Sequence, residues 1–118
     1  MSFIQLSAIT PTPDTITAPS LVELAFTLSA AKGTPTAVYY QLNSDDNIYF
    51  QLTNGSLVKE LVQLVTMPAD TKTFKDKVLI QKVAVPPGQD HQFGFIYVQA
   101  VNKLNDLSAI KHCMINFV

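Results

Sequence analysis

The last third of the chain constrains the fold most, because three apolar runs alternate there with two clusters of turn residues. Residues 86–90 break the chain, since proline removes a backbone donor and glycine adopts left-handed angles. Residues 93–101 are then apolar for the length of a strand, residues 103–108 form a second turn cluster, and residues 109–118 are apolar again. This pattern predicts three strands joined by two turns.

Period-two alternation of apolar and polar residues recurs in the first half of the chain. It is clearest at residues 21–29 and predicts a half-buried strand there. The inward residues of this strand are Val22, Leu24, Phe26 and Leu28. Residues 36–42 and 48–53 alternate in the same way, and Asn54-Gly55 after them favours a hairpin with a type I′ turn.

Two neighbouring segments are harder to interpret. The apolar residues of 56–67 also fit a helical stripe, with Ser56 as a cap, but the hairpin signal before them and the valines among them favour a strand. Residues 68–77 contain a proline and three lysines. We expect this segment to be a loop that leads into a strand at residues 78–85.

The spacing of these segments predicts the fold class. Seven or eight short strands, with turns every eight to twelve residues and no strong helix signal, are typical of an all-β, antiparallel β-sandwich. A chain of 118 residues fits one domain, which we place at residues 20–118. Residues 1–19 contain three prolines and are expected to be extended. They form either an edge strand of this domain, which is favoured, or an arm that pairs with a neighbour's sheet.

Composition excludes several classes of function. Only 14% of the residues are charged, the net charge is −1, and all eight basic residues are lysines. Without arginine the chain lacks the planar fork that reads phosphates and bases, so no nucleic-acid partner is expected. No apolar run is long enough to cross a membrane, and the N-terminus does not resemble a signal peptide. We therefore expect a protein of the cytoplasm or of a released particle.

No catalytic, metal or cofactor site is predicted. His91 and His112 would lie about 20 Å or more apart if the last two strands form a hairpin with His112 opposite about Val98. Cys113 shares a face with apolar neighbours and is expected to be a small buried hydrophobe. Residues 43–47 carry oxygen ligands but lack the spacing of an EF-hand loop. The sequence therefore favours a protein that is not an enzyme.

Three short motifs resemble the fibronectin type III and immunoglobulin-like family. Val85-Pro86-Pro87-Gly88 resembles the link between that family's fifth and sixth strands, residues 98–102 resemble its sixth-strand ending, and Asp106-Leu107-Ser108 is similar to the turn before its last strand. The resemblance implies an immunoglobulin-like sandwich with a role in binding or assembly. Such modules carry many functions, so the fold alone supplies none.

Two family positions differ in this chain. The tyrosine that usually begins the sixth strand is replaced by His91 or by Gly94, depending on the motif from which it is counted. The family's early tryptophan is absent, and Phe26 is the expected substitute.

The family pattern also places Ile96, Val98 and Ala100 inward, so the residues between them, including Phe95 and Tyr97, point outward. The strand is therefore apolar on both sides. A strand that is apolar on both faces is normally covered on both faces. The cover is either another chain or, within the same chain, residues 1–19 or a loop. We expect the first, and hence a structural module that assembles through protein contacts, in a homo-oligomer or a larger particle, filament or surface structure. The candidate interface residues are Phe93, Phe95, Tyr97, Val101, Phe3, Ile4 and Leu6.

The alternative is a module that binds a glycan or another small ligand. Tyr39 and Tyr49 fall on the outward parity of two strands expected to be adjacent, where their rings would form a stacking platform. Paired outward tyrosines also pack on each other across strands, which is the simpler interpretation.

Overall fold

The computed structural model describes residues 4–43, 47–89, 92–102 and 106–118, and within them every regular element is a β-strand. No helix in these ranges is long and apolar enough to cross a membrane. The first six strands are β1 (Gln5–Leu6), β2 (Thr10–Thr12), β3 (Thr15–Ile16), β4 (Ser20–Ser29), β5 (Pro35–Leu42) and β6 (Ile48–Gln51). The other five are β7 (Leu57–Val58), β8 (Glu60–Thr66), β9 (Thr71–Lys82), β10 (Phe93–Asn102) and β11 (Lys111–Phe117).

The strands form two sheets. The first sheet has the order β1-β4-β9-β6-β7, with β2 also paired to β4, and all its pairs are antiparallel. The second sheet has the order β3-β11-β10-β5-β8. In this sheet β3 runs parallel to β11, so the sheet is mixed and not purely antiparallel as predicted. The described residues form eleven strands, more than the seven or eight predicted. The additional strands are short ones, namely β1, β2 and β3 in the N-terminal segment and β7.

Both sheets contribute to one hydrophobic core. The alternation of β4 and the inward parity of β10 have the predicted phase, since Leu24 and Val98 are fully buried. Phe26 stacks on Phe74 of β9 at 5.1 Å between ring centroids and meets Tyr40 of the second sheet edge-on at 6.2 Å. Phe26 therefore joins the two sheets at the centre of the core.

The N-terminal segment pairs within its own chain. Strands β1 and β2 lie on β4, and β3 lies on β11, so the segment contributes to both sheets. Ile4 and Leu6 are 5% and 6% exposed and belong to the core. These two predicted interface residues are therefore unavailable for contacts with another chain, because their side chains are packed inside this one. Phe3 lies outside the described residues.

The chain between residues 52 and 82 differs from the prediction in two places. Leu52 and Ser56 close a loop longer than the two-residue turn expected at Asn54-Gly55, although Gly55 does adopt a positive φ of 89°. Strand β9 begins at Thr71, inside the segment predicted to be a loop. It was missed because Phe74 is the one apolar residue among Thr71–Lys77, so no hydrophobic alternation marks the strand. The ambiguous segment 56–67 is strand, as favoured.

Gly94 lies at the start of β10, at one of the two positions where the resemblance would place a tyrosine. The position faces the core, and a Cβ atom placed there would lie 3.2 Å from Cδ1 of Ile48. Any larger side chain at this position would require the Ile48 side chain to shift. His91, the other candidate position, lies outside the described residues.

Candidate functional site

Strand β10 presents a row of aromatic rings on the outer side of the second sheet. Phe93, Phe95 and Tyr97 all point away from the core, and Phe93 is 45% exposed. The rings of Phe93 and Phe95 meet edge-on at 5.5 Å, and those of Phe95 and Tyr97 lie 6.5 Å apart. Val101 lies on the same side, at the end of the row. The N-terminal strands lie on β4 and β11, at sheet edges, and do not cross over these rings.

Strand β11 extends this surface on one side. Met114 lies opposite Phe95, and His112 lies opposite Tyr97. The His112 ring is 5.7 Å from the rings of both Phe95 and Tyr97. The predicted register, with His112 opposite Val98, is wrong by one residue. The true register places His112 outside the core, among the aromatic rings.

Strands β5 and β8 extend the surface on the other side. Tyr39 lies opposite Val62, and Ala37 lies opposite Leu64. Val62 is 55% exposed and Leu64 is 81% exposed. Sequence reasoning missed both, because the apolar residues of 60–66 occur in adjacent pairs rather than in alternation and so indicate neither an outward side nor a partner for this strand. We call the whole surface the apolar face. Its members are Phe93, Phe95, Tyr97, Val101, His112, Met114, Tyr39, Ala37, Val62 and Leu64.

The apolar face carries very little charge. Among the described outward residues of the second sheet, the Asp, Glu, Lys and His side chains are limited to Glu60 and His112. Glu60 lies on β8 at the rim, opposite Gln41. A partner that docks on the centre of this face would therefore desolvate almost no charge, which is the costliest part of burying polar surface.

The relief of the apolar face is uneven. A shallow hollow of about 500 Å³ lies around the small side chain of Ala37, between Tyr39, Leu64 and Val101. A second hollow of about 460 Å³ lies beside Tyr97. Both are open to solvent on one side. They give a docking partner places to insert side chains.

The structure separates the two tyrosines of the alternative ligand site. Tyr39 is on β5 in the second sheet, and Tyr49 is on β6 in the first sheet. Both point away from the core, but their strands belong to different sheets, so the two rings are not side by side on adjacent strands. The prediction failed because β5 and β6 are consecutive in sequence but belong to different sheets. The ammonium group of Lys59 lies 4.2 Å from the ring centre of Tyr49.

The inner side of the second sheet holds two groups with shifted acidity. Burial raises the pKa of the Cys113 thiol to about 11, although a backbone hydrogen bond to Ile96 lowers it in part. The thiol is therefore protonated at neutral pH and is a poor nucleophile. Burial also raises the pKa of Tyr40, and so do its hydrogen bond to Asp76 and the charge of that carboxylate.

These groups do not assemble into a reactive cluster. Cys113 lies on the inner side of β11, whereas His112 is on the outer side. No group of three or more His, Cys, Asp or Glu side chains that could hold a metal ion occurs within residues 4–43, 47–89, 92–102 and 106–118.

Comparison with known proteins gives structural neighbours only. No protein-family model matches the chain, and no curated protein matches it. The fold is similar to part of the alkylpurine DNA glycosylase AlkC of Pseudomonas fluorescens, solved with DNA that contains an abasic-site analogue. The TM-score is 0.55 at 13% identity, over 97% of this chain but only 30% of the glycosylase.

A second neighbour is nearer to this chain in size. It is the CARDB domain of the PF1109 protein of Pyrococcus furiosus, solved in complex with di-metal ions. The TM-score is 0.50 at 14% identity, over 99% of this chain and 89% of that one. At these identities the two likenesses show a shared all-β fold and nothing about activity.

Proposed function

We propose that this chain is a non-enzymatic assembly module that binds protein through the apolar face. The observation that carries the proposal is the exposure of large apolar side chains on adjacent strands of one sheet. Phe93, Tyr39, Val62, Leu64 and Met114 are each more than 40% exposed. Outward faces of antiparallel sheets are usually polar, and contiguous apolar patches on monomers mark interaction sites.

The size of the apolar face is compatible with the proposal. Four strands about 4.8 Å apart, each about seven residues long at 3.3 Å per residue, give a projected area of roughly 20 × 23 Å, or about 460 Å². Single apolar patches on monomeric proteins reach roughly 300–600 Å², and a standard interface buries about 800 Å² on each partner. The apolar face with its polar rim fits the centre of such an interface.

The residue types support it as well. Aromatic residues and methionine are enriched in interfaces, because they bury a large area at a small cost in side-chain entropy. The rings of Phe93, Phe95 and Tyr97 also contact one another within the chain. Such contacts restrict the rotamers of these side chains, and restricted rotamers lower the entropic cost of association.

We also infer that the two sheets form an immunoglobulin-like sandwich. The support is the shared core of the two sheets and the likeness to the CARDB domain, which has an immunoglobulin-like fold. The neighbours do not single out the fibronectin type III branch. The enzymatic activity of the glycosylase is not extended to this chain, which matches less than a third of that protein.

A photo-crosslinking experiment tests the proposed function. A photoreactive amino acid replaces Met114 on the apolar face in one variant and Thr73 on the first sheet in a matched control, and each is irradiated in cells that make the protein. We expect protein adducts from position 114 and few from position 73. The adducts from position 114 are expected to fall at least tenfold when Phe95→Asp is added, because a buried carboxylate is costly in an apolar interface.

Two results would argue against the proposal. One is a set of adducts from position 73 that is as strong as that from position 114. The other is a set of adducts from position 114 that Phe95→Asp leaves unchanged, provided that a thermal melt shows this variant to be folded.

A further inference from the structure

The edge of the second sheet at β8 lacks a partner strand. β8 is seven residues long and pairs with β5 over its whole length. Its other edge is paired with no strand of the described residues. An open edge presents a row of backbone N–H and C=O groups to which another strand can add.

The other sheet edges are short or protected. β1, β3 and β7 have two residues each, and β2 contains Pro11. The part of β9 that extends past β6 carries Lys72, Lys75 and Lys77. Short strands, proline and lysine are the usual means of preventing edge-to-edge pairing. β8 has the sequence ELVQLVT, which contains neither proline nor lysine and carries one charge, that of Glu60 at its start.

The hydrogen bonds to β5 determine which groups of β8 are directed outward. Leu42 N–H donates to the carbonyl of Lys59 at 2.8 Å. At the far end of the strand, Met67 N–H donates to the carbonyl of Thr34 at 3.2 Å. In an antiparallel pair these bonds recur at every second residue, so the odd-numbered residues of β8 bond to β5. The residues whose backbone groups point to the open edge are Glu60, Val62, Leu64 and Thr66.

We propose that β8 pairs antiparallel with β8 of a second copy, with the two-fold axis at Gln63. In this register Val62 lies opposite Leu64 of the other copy, and Leu61 lies opposite Val65. Glu60 lies opposite Thr66, so the two carboxylates do not meet. The apolar pattern of the strand is thus complementary to itself, which is the requirement for a two-fold contact. This complementarity identifies the occupant of the edge as a second copy of the chain.

The hydrogen bonds select the same register. With the axis at Gln63, all four edge-directed residues find an edge-directed partner, and each of the four pairs exchanges two hydrogen bonds, or eight in all. Moving the axis to Val62 or to Leu64 leaves three such pairs and about six hydrogen bonds. The register with the best side-chain match therefore also forms the most backbone bonds.

The paired edges would join two five-stranded sheets into one sheet of ten strands. Val62 and Leu64 belong to the apolar face, so the two apolar faces would become one continuous surface. The edge contact forms through the backbone of β8 and needs none of the aromatic rings of β10, whereas the proposed function rests on the whole apolar face, with Phe95 between its neighbouring strands. The two proposals therefore fail separately.

Charge-pair variants test the edge contact by sedimentation velocity. Val62→Lys with Leu64→Lys places lysine opposite lysine in the proposed register, whereas Val62→Lys with Leu64→Glu places lysine opposite glutamate. Both positions are largely exposed, so the folded monomer is expected to tolerate either pair. We expect a concentration-dependent dimer for the unaltered chain, at least a tenfold loss of affinity for the lysine pair, and recovery of most of it for the lysine–glutamate pair.

Amide hydrogen exchange gives a second readout. The N–H groups of Val62 and Leu64 are expected to become protected as the chain is concentrated, whereas that of Gln63 is protected at every concentration. Edge pairing is overturned if the unaltered chain stays monomeric up to about 1 mM, or if the two charge variants weaken the dimer equally. Phe95→Asp is the separate control, and we expect it to leave this dimer intact. If it abolishes the dimer while the lysine pair does not, the edge contact is wrong and the proposed function stands.

Discussion

The outer faces of the two sheets differ, although both sheets pack on the same core. On the first sheet, Thr27 and Thr73 face each other with their hydroxyl oxygens 3.3 Å apart, and Glu23 lies opposite Lys77. On the second sheet, the corresponding positions carry aromatic and aliphatic side chains. Threonine, phenylalanine, tyrosine and valine all favour strands, so the fold does not require this difference. One face is suited to water, and the other is suited to contact with protein.

The largest expected effect concerns the labelling rate of Cys113, which lies on the inner side of β11, whereas Met114 of the same strand lies on the apolar face. The Cys113 pKa of about 11, raised from 9.0 by burial, leaves about one thiol in a thousand ionised at pH 8, against about one in ten in the unfolded chain. Labelling by iodoacetamide at pH 8 should therefore be about 100-fold slower in the folded protein than in urea. Because the pKa of the thiol is raised, the labelling rate of the folded protein should increase as the pH rises toward 11. Rapid labelling at pH 8 would show that β11 is not oriented as described.

A smaller contrast is expected between two methionines. Met114 on the apolar face is 43% exposed, and Met67 in the core is 1% exposed. Dilute peroxide should oxidise Met114 at least about ten times faster than Met67, since sulfoxide formation follows exposure. Peptide mass spectrometry measures both rates in one sample. Equal rates at low protein concentration would mean that the apolar face is covered in the monomer.

The smallest differences are expected in stability. Phe95→Ala should lower the free energy of unfolding by about 1–2 kcal/mol, because Phe95 contacts the rings of Phe93, Tyr97 and His112. Lys77→Ala on the other face should lower it by about 0.5 kcal/mol or less, and salt should remove that difference. Urea unfolding at low and high salt measures both. A larger cost for Lys77→Ala would contradict the view that the first face is simply solvated.

The sequence predicted the parts of the fold that depend on local alternation. The inward residues of β4 were correct because of its alternation, whereas those of β10, which is apolar on both sides, were correct because of the resemblance to the fibronectin type III and immunoglobulin-like family. β9 was partly missed, since threonine and lysine occupy its outer side and Asp76 its inner side. The error of one residue at His112 arose because a register depends on the geometry of the intervening turn, which composition does not specify.

The sequence predicted the part of the candidate site on β10 but not the part on β8, because strand pairing and register are not specified locally. The outward side of β10 follows from parity once its inward side is known. The contribution of Val62 and Leu64 depends on the pairing of β8 with β5, which is a long-range choice. Ile4 and Leu6 were assigned to an interface because an apolar edge strand looks the same in sequence whether its side chains pack inside its own chain or against another.

Hydroxyl-radical footprinting in living cells tests the central claim most directly. Reactivity is compared between the purified chain at low concentration and the same chain in cells that make it. We predict that Phe93, Met114 and Tyr39 lose most of their reactivity in cells, whereas Leu21, which is 59% exposed on the outer face of the first sheet, keeps it. Full reactivity of Met114 and Phe93 in cells, with protection at Leu21, would contradict the claim that the apolar face is the contact surface.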